Sequence, residues 1–295
     1  MKLAYSTNAF THYTLFEAVD KIASLGFGGI EVMGDRPHLY PPDWDQDALV
    51  SLRDWISLKG LCITNINSFT LFAVGNMHLP SWIEGDRERR EIRIQHTIDC
   101  LRLAAFLGCA NISVPPGGPR RNKDRGPALS LFREGLERVI PATKKFGVKV
   151  LIEPEPELLL ENSWESLEFI KDVHSPFIGI NFDIGHFFCA GEDPSEAFMK
   201  LLPWIGHVHI EDIADSRSHY HLIAGHGAIN FRKVLRTIRH SGYQGNISLE
   251  LYTYSDKPED AGRESLQHLL PLFQEAGFDL SAPPVEVRTG QDRGN

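Results

Sequence analysis

Four strand-like runs in the second half of the chain each end on a side chain able to bind a metal. Residues 148–152 precede Glu153, residues 177–182 precede Asp183, residues 205–208 precede His209, and residues 246–249 precede Glu250. Two glutamates, an aspartate and a histidine make a hard-to-borderline oxygen and nitrogen set. Such a set suits Mn²⁺, Mg²⁺, Co²⁺ or Zn²⁺ and lacks the thiolates of a closed structural zinc site. Taken singly, a strand-end carboxylate serves as well for a helix cap or an ion pair. The four become one site only if their strands are neighbours in a parallel barrel, where the C-terminal ends converge.

The elements that would position them follow a repeated junction, in which a helical pattern ends at glycine and a β-rich run begins one or two residues later. It occurs at Gly26, Gly60, Gly108, Gly147 and Gly242. Glycine just past a helix end supplies the left-handed cap from which the chain turns back into a strand. Helix starts agree: Thr14 with Glu17, Asn162 with Glu165, and Asp193 with Pro194 and Glu196 have capping-box spacing ahead of periodic apolar residues. The pattern predicts strands at 3–6, 29–32, 61–66, 111–114, 148–153, 178–183, 205–210 and 247–251. Helices are expected near 14–25, 45–58, 86–107, 127–146, 163–173, 194–202, 230–240 and 258–276. Eight alternating units favour an α/β fold of the (β/α)8 TIM barrel type, a single domain over residues 1–278, over an open doubly wound sheet. Residues 279–295, rich in proline, glycine and charge, are expected to form a flexible tail.

The totals allow this. A chain of 295 residues is long for a small domain, but such barrels hold about 250 residues as one unit. With 42% hydrophobic and 23% charged residues the composition is that of a globular protein with a sizeable core. A net charge of −9 opposes nonspecific attraction to nucleic acid or anionic membranes, so neither is an expected partner. Cys62, Cys100, Cys109 and Cys189 form no CxxC pair, no apolar run follows the first lysine as in a leader, and none approaches the ~20 residues of a membrane span. A cytoplasmic setting is the expectation.

The ligand positions are separated by intervals of 30, 26 and 41 residues, each compatible with one strand–helix unit and its loops. The quoted residues resemble the xylose isomerase-like sugar isomerase and epimerase barrels. That family includes ketose 3-epimerases, hydroxypyruvate isomerases, inosose dehydratases and the endonuclease IV branch. The resemblance runs over residues 1–278. It is carried by Gly26-Phe27-Gly28-Gly29-Ile30-Glu31, Ile152-Glu153, Asn181-Phe182-Asp183-Ile184-Gly185-His186, His207-Val208-His209-Ile210-Glu211-Asp212, Gly225-His226-Gly227-Ala228-Ile229-Asn230-Phe231 and Ser248-Leu249-Glu250. Each motif is weak alone, and the ordered set is fairly specific.

The resemblance implies one divalent metal, Mn²⁺ first, held by Glu153, Asp183, His209 and Glu250, and a small sugar or polyol as substrate. It is compatible with a homo-oligomer. Proton transfer beside a carbonyl fits such a set, since a metal polarises the carbonyl while a carboxylate takes the adjacent carbon's proton. By analogy Glu153 and Glu250 are the catalytic pair, one on each face of the substrate, which gives epimerisation. His186 and Arg217 are implied as substrate ligands. A dehydratase runs through the same enolate and is the alternative; an abasic-site endonuclease and a ligand-binding barrel without turnover stand further back.

Other features depart from the relatives or admit two readings. The run Glu153-Pro154-Glu155-Pro156-Glu157 crowds three carboxylates, and Glu157 is taken as a substrate-binding residue, Glu155 as its rival. Glu211-Asp212 replaces the Lys-Asp often seen in relatives. His219, His221 and His226 offer either further metal ligands or a solvated loop. Glu31 is expected near the pocket or as support for the barrel's inner layers. The basic stretch 117–125 could capture a phosphate or carboxylate, but a solvated loop is the better expectation. The long loop 67–85, with Phe69, Phe72, Met77, His78 and Trp82, reads as a lid or substrate wall, although its aromatics, like Phe187 and Phe188, could equally be packing.

Overall fold

Five glycines with positive φ, at 26, 60, 108, 147 and 242, turn helices back toward strands, and their repetition sets the architecture. In the structure, a computed structural model describing residues 1–120 and 123–280, the strands are β1 (Leu3–Ser6), β2 (Gly29–Met33), β3 (Cys62–Asn67), β4 (Asn111–Val114), β5 (Lys149–Ile152), β6 (Ile178–Asp183), β7 (Ile205–Ile210) and β8 (Ile247–Leu249). All pair in parallel in sequence order, and β8 closes on β1. The result is a single-domain (β/α)8 TIM barrel.

Helices α1 (Leu15–Leu25), α2 (Gln46–Leu58), α3 (Arg87–Leu107), α4 (Arg125–Phe146) and α5 (Ser163–Val173) cover the outside of the first five strands. A short α6 (Ile184–Cys189) follows β6 directly, before α7 (Pro194–Leu201), α8 (Phe231–His240) and α9 (Pro258–Glu275). Thr14 and Glu17 make a reciprocal capping box. At α5, Asn162 caps Glu165 N, but the Glu165 carboxylate turns to Glu161 N. Helix α6 has no counterpart in the sequence pattern, because six residues are too few to show a period. Its N-cap is Asp183 itself.

Apolar side chains fill the layer between strands and helices, with Phe132, Phe169, Phe182, Phe198 and Phe273 among those buried. The barrel's own interior is polar toward the C-terminal end. Glu31 accepts from Asn65 (3.1 Å) and Asn67 (3.3 Å), Asn65 also bonds Ser113 and Asn111, and His207 Nε2 lies 2.8 Å from Ser248 Oγ. Buried polar groups are tolerated when so paired, and an unpaired one costs about 1–3 kcal/mol. This layer is the floor of the site. Past α9, Phe278 packs on Phe273. The expected tail lies outside the described residues from 281 onward. No helix among the described residues is long and apolar enough to cross a membrane.

Candidate active site

The ends of β5 to β8 bring the four sequence-derived ligands together. Glu153, Asp183, His209 and Glu250 are all buried, and one ligand atom from each lies within 4.8 Å of the others. His209 Nδ1 faces Glu153 Oε1 at 3.2 Å, Glu250 Oε2 at 3.5 Å and Asp183 Oδ2 at 3.7 Å. Bonds of about 2.1 Å to a shared ion place neighbouring ligand atoms roughly 3.0–3.5 Å apart. The spacing fits.

Two further observations fit a cation. His209 Nε2 is 2.8 Å from Glu31 Oε2, which directs the other nitrogen into the cluster, the arrangement that fixes metal-binding imidazoles. Asp183 spends Oδ1 on the N–H of His186 (2.7 Å) and leaves Oδ2, buried among the ligands, without a hydrogen-bond partner. Burial would lower the His209 pKa, but Glu31, Glu250 and Glu153 together hold it well above the ordinary imidazole value. The same field favours any positive charge placed there.

The carboxylates differ in support. Glu153 accepts from Asn181 Nδ2 at 2.9 Å. Glu250 Oε1 accepts from Asn8 (2.8 Å) and Asn67 (3.1 Å), yet burial, aided by Glu153 and Asp183, pushes its carboxyl up to about 7 against the pull of His209. Burial and the neighbouring Glu153 push the Glu155 carboxyl well above the usual carboxylate range. Despite burial, the charge and hydrogen bond of His209 help hold Asp183 well below its usual value. Burial drives His186 down to about 4, keeping the imidazole neutral; its Nδ1 is 2.9 Å from Pro154 O.

Glu211 stands fully buried behind Asp183. Its Oε1 accepts from Gly185 N at 2.6 Å, and a side chain at residue 185 would put Cβ 1.9 Å from that oxygen. Glycine is required by this contact. Asp212 organises the loop beyond β7, accepting from the N–H groups of Ile213, Gly225, Gly227 and Ile229.

A cavity of about 410 Å³ opens over the cluster. Glu153, Glu155, Glu250, His186, His219 and Asn67 line its inner part. Two residues singled out from the sequence are not in it. Glu157 is exposed, in a left-handed backbone conformation (φ 69°), and of the two rival carboxylates it is Glu155 that lines the cavity. Arg217 is exposed too, with Nη1 2.6 Å from Phe188 O and its guanidinium 4.2 Å from the Phe188 ring centre. The histidine loop divides: His219 lines the cavity, His221 is buried with Nδ1 2.9 Å from Glu250 O, and His226 pairs with Glu264 at the surface.

The basic stretch stays away. Lys123 bonds Ile83 O, Arg125 pairs with Glu165, and Arg120 is exposed, while Arg121 and Asn122 lie outside the described residues. Trp82 is core, against Phe132, whereas Phe69, Phe72 and Met77 of the long loop do reach the cavity. Asn8, Asn67 and Asn181 were not legible as site residues, since an amide carries no ligand signal and its partner lies far off in sequence.

Barrel, buried cluster and cavity together define a TIM barrel whose strand ends could hold a metal ion. The chain belongs to the xylose isomerase-like TIM barrel family, whose model matches residues 19–272. It is 25% identical to fructoselysine 3-epimerase of Escherichia coli O157:H7 over 286 residues, 93% of this chain and 99% of the relative. A D-tagatose 3-epimerase-like protein shares the fold with a TM-score of 0.76 at 23% identity, over 93% of this chain and 99% of that one. The IOLI protein, solved with a bound zinc atom, shares it at 0.75 and 17%, over 94% and 99%.

Proposed function

We propose that the protein is a divalent-metal-dependent epimerase or isomerase of a ketose or related polyol, working by proton transfer through an enediolate. The observation that carries this is His209, with Nδ1 turned to three carboxylates and Nε2 anchored on Glu31. Glu153, Asp183, His209 and Glu250 would hold the ion, Mn²⁺ in the first instance and Mg²⁺, Co²⁺ or Zn²⁺ as alternatives. When bound, it supplies Lewis acidity beside the substrate's carbonyl oxygen. The similarity to fructoselysine 3-epimerase supports a sugar substrate.

The chain's own residues move the proton. Glu250, its carboxylate aimed by Asn8 and Asn67, exchanges a proton with the carbon beside the carbonyl. Glu153, from β5 on the other side of the mouth, serves the opposite face of the substrate, so that removal by one and return by the other inverts a carbinol carbon. His186, neutral and fixed through Pro154, offers Nε2 to a substrate oxygen.

Incubation of metal-loaded protein with keto sugars in D₂O tests the proposal. Deuterium at the carbon beside the carbonyl is the expected result, and no exchange with any of them would overturn it. A second reading is favoured by Glu155, a buried carboxyl in the cavity wall that burial and Glu153 make a stronger holder of its proton; giving that proton to a departing hydroxyl would turn the same enolate toward dehydration. Appearance of an ultraviolet-absorbing enone would select that outcome.

A further inference from the structure

The outer half of the cavity is the wrong chemistry for a bare sugar. Beyond the carboxylates and imidazoles its walls are Met33, Pro37, Phe69, Phe72, Met77 and Tyr252, with Asn8, Thr11, Arg36, Asn67 and Thr70 between them. A ketohexose has twelve non-hydrogen atoms and fills roughly 200 Å³ at interior packing density. The cavity has room for more than that, and most of the lining surface it offers is apolar. Sugar hydroxyls buried there unpaired would each cost about 1–3 kcal/mol. An apolar group gains by entering it.

The wall is also held in place before any ligand arrives. Asp35, fully buried, accepts from Thr70 Oγ1 (2.9 Å), Phe72 N (2.5 Å) and Ala73 N (3.1 Å), fixing one end of the long loop. Arg93, also fully buried, grips the carbonyls of Ser68, Phe69 and Pro80. Phe72 nevertheless stays 49% exposed, a phenyl ring held at the cavity mouth with little protein against it. Fixing a loop in its binding shape lowers the entropy cost of binding.

Charge narrows the ligand further. Among the described residues Arg36 is the one arginine or lysine lining the cavity, and the Nε–Nη2 edge of its guanidinium is engaged by Asp43 (2.6 and 2.8 Å). Facing it are the carboxyl groups of Glu153, Glu155 and Glu250. This is a poor place for a sugar phosphate or a sugar acid.

We propose that the substrate is an uncharged keto sugar carrying an apolar appendage, an aryl or alkyl aglycone, which packs against Phe69, Phe72 and Met77 while the keto sugar meets the ligand cluster. This rests on the proposed proton-transfer chemistry and adds the substrate class. The test compares the phenyl and methyl β-glycosides of 3-keto-D-glucose, which differ only in the appendage, by deuterium wash-in with Mn²⁺-loaded protein. The phenyl glycoside should exceed the methyl by at least tenfold in kcat/KM, and Phe72→Ser should bring that ratio toward one. Equal rates, or a preference for the methyl glycoside or for free ketohexoses, would overturn the inference and leave the proton-transfer chemistry standing.

Calorimetric binding of the unreactive phenyl and methyl β-D-glucosides reads the wall without turnover. A phenyl preference that Phe72→Ser removes, with no exchange in any keto sugar, would keep the apolar subsite and overturn the reaction. No phenyl preference in binding would count against the subsite whatever the exchange shows.

Discussion

The two halves of the barrel contribute to the site in opposite ways. Strands β5 to β8 bring the charge: Glu153, Asp183, His209 and Glu250. The half from β1 to β4 brings mainly neutral donors and the wall. Asn8 and Asn67 reach Glu250, Asn65 and Asn67 hold Glu31, and the loop after β3 supplies Phe69, Phe72 and Met77. Glu31 is the one carboxylate this half sends to the cluster, and it meets His209 rather than the ligand carboxylates. Four buried carboxyl groups close together repel each other unless cations and amide donors face them. One half therefore carries the charged cluster, and the other carries the neutral donors and the apolar wall that face it.

Substitutions can break that division, most severely in the ligand half. Asp183→Ala removes an oxygen with no role in the hydrogen-bond network as well as the cap of α6, so stoichiometric metal binding should be lost. Elemental analysis after dialysis against Mn²⁺ would show it, and one retained ion per chain would refute the ligand assignment.

Across the barrel, Glu31→Gln should weaken the cluster chiefly through His209, its nearest charged partner, while its contacts with Asn65, Asn67 and His207 can be kept by the amide. Losing a carboxylate behind a metal-binding imidazole typically costs 10–100-fold in metal affinity. Calorimetric titration is the check, and an unchanged constant would reduce Glu31 to barrel support.

The smallest effect is expected from Asn67→Ala, which deletes one donor to Glu250. Hydrogen bonds to a carboxylate favour its charged form, so their loss raises the pKa above the present value of about 7. A metal must displace that proton, and affinity should fall about tenfold per pH unit below the Glu250 midpoint. In the variant the fall should begin at higher pH, by less than about one unit. A profile unmoved by the substitution would mean that Asn8 alone sets the midpoint.

The stability consequence has a definite sign. Glu250 and Glu155 bind protons more tightly folded than unfolded, so in metal-free protein their contribution is full below about 4.5. It is lost as pH rises through their folded values, about 7 for Glu250.

The contrast between halves also separates what could be read from residues and what could not. Metal-ligand types stand out against a strand pattern, and all four sit where β5 to β8 were expected to end. The asparagines give no such signal; Asn8 meets Glu250 across 242 positions of sequence. Glu155 and Glu157 look alike in the Pro-separated run, yet backbone conformation turns one into the cavity and leaves the other outside. Arg217 was a reasonable cation for a substrate, but the Phe188 carbonyl and ring engage it at the surface.

By itself, the sequence determined the alternation of strand and helix, the closed parallel barrel and the placing of Glu153, Asp183, His209 and Glu250 at the ends of neighbouring strands. It could do so because caps, periodicity and side-chain chemistry are local properties. Only the tertiary structure decided which nitrogen of His209 faces the carboxylates, which glutamate of the run enters the cavity, and that an apolar wall stands over a charged floor. Those depend on distances between segments far apart in the chain, which no local pattern encodes.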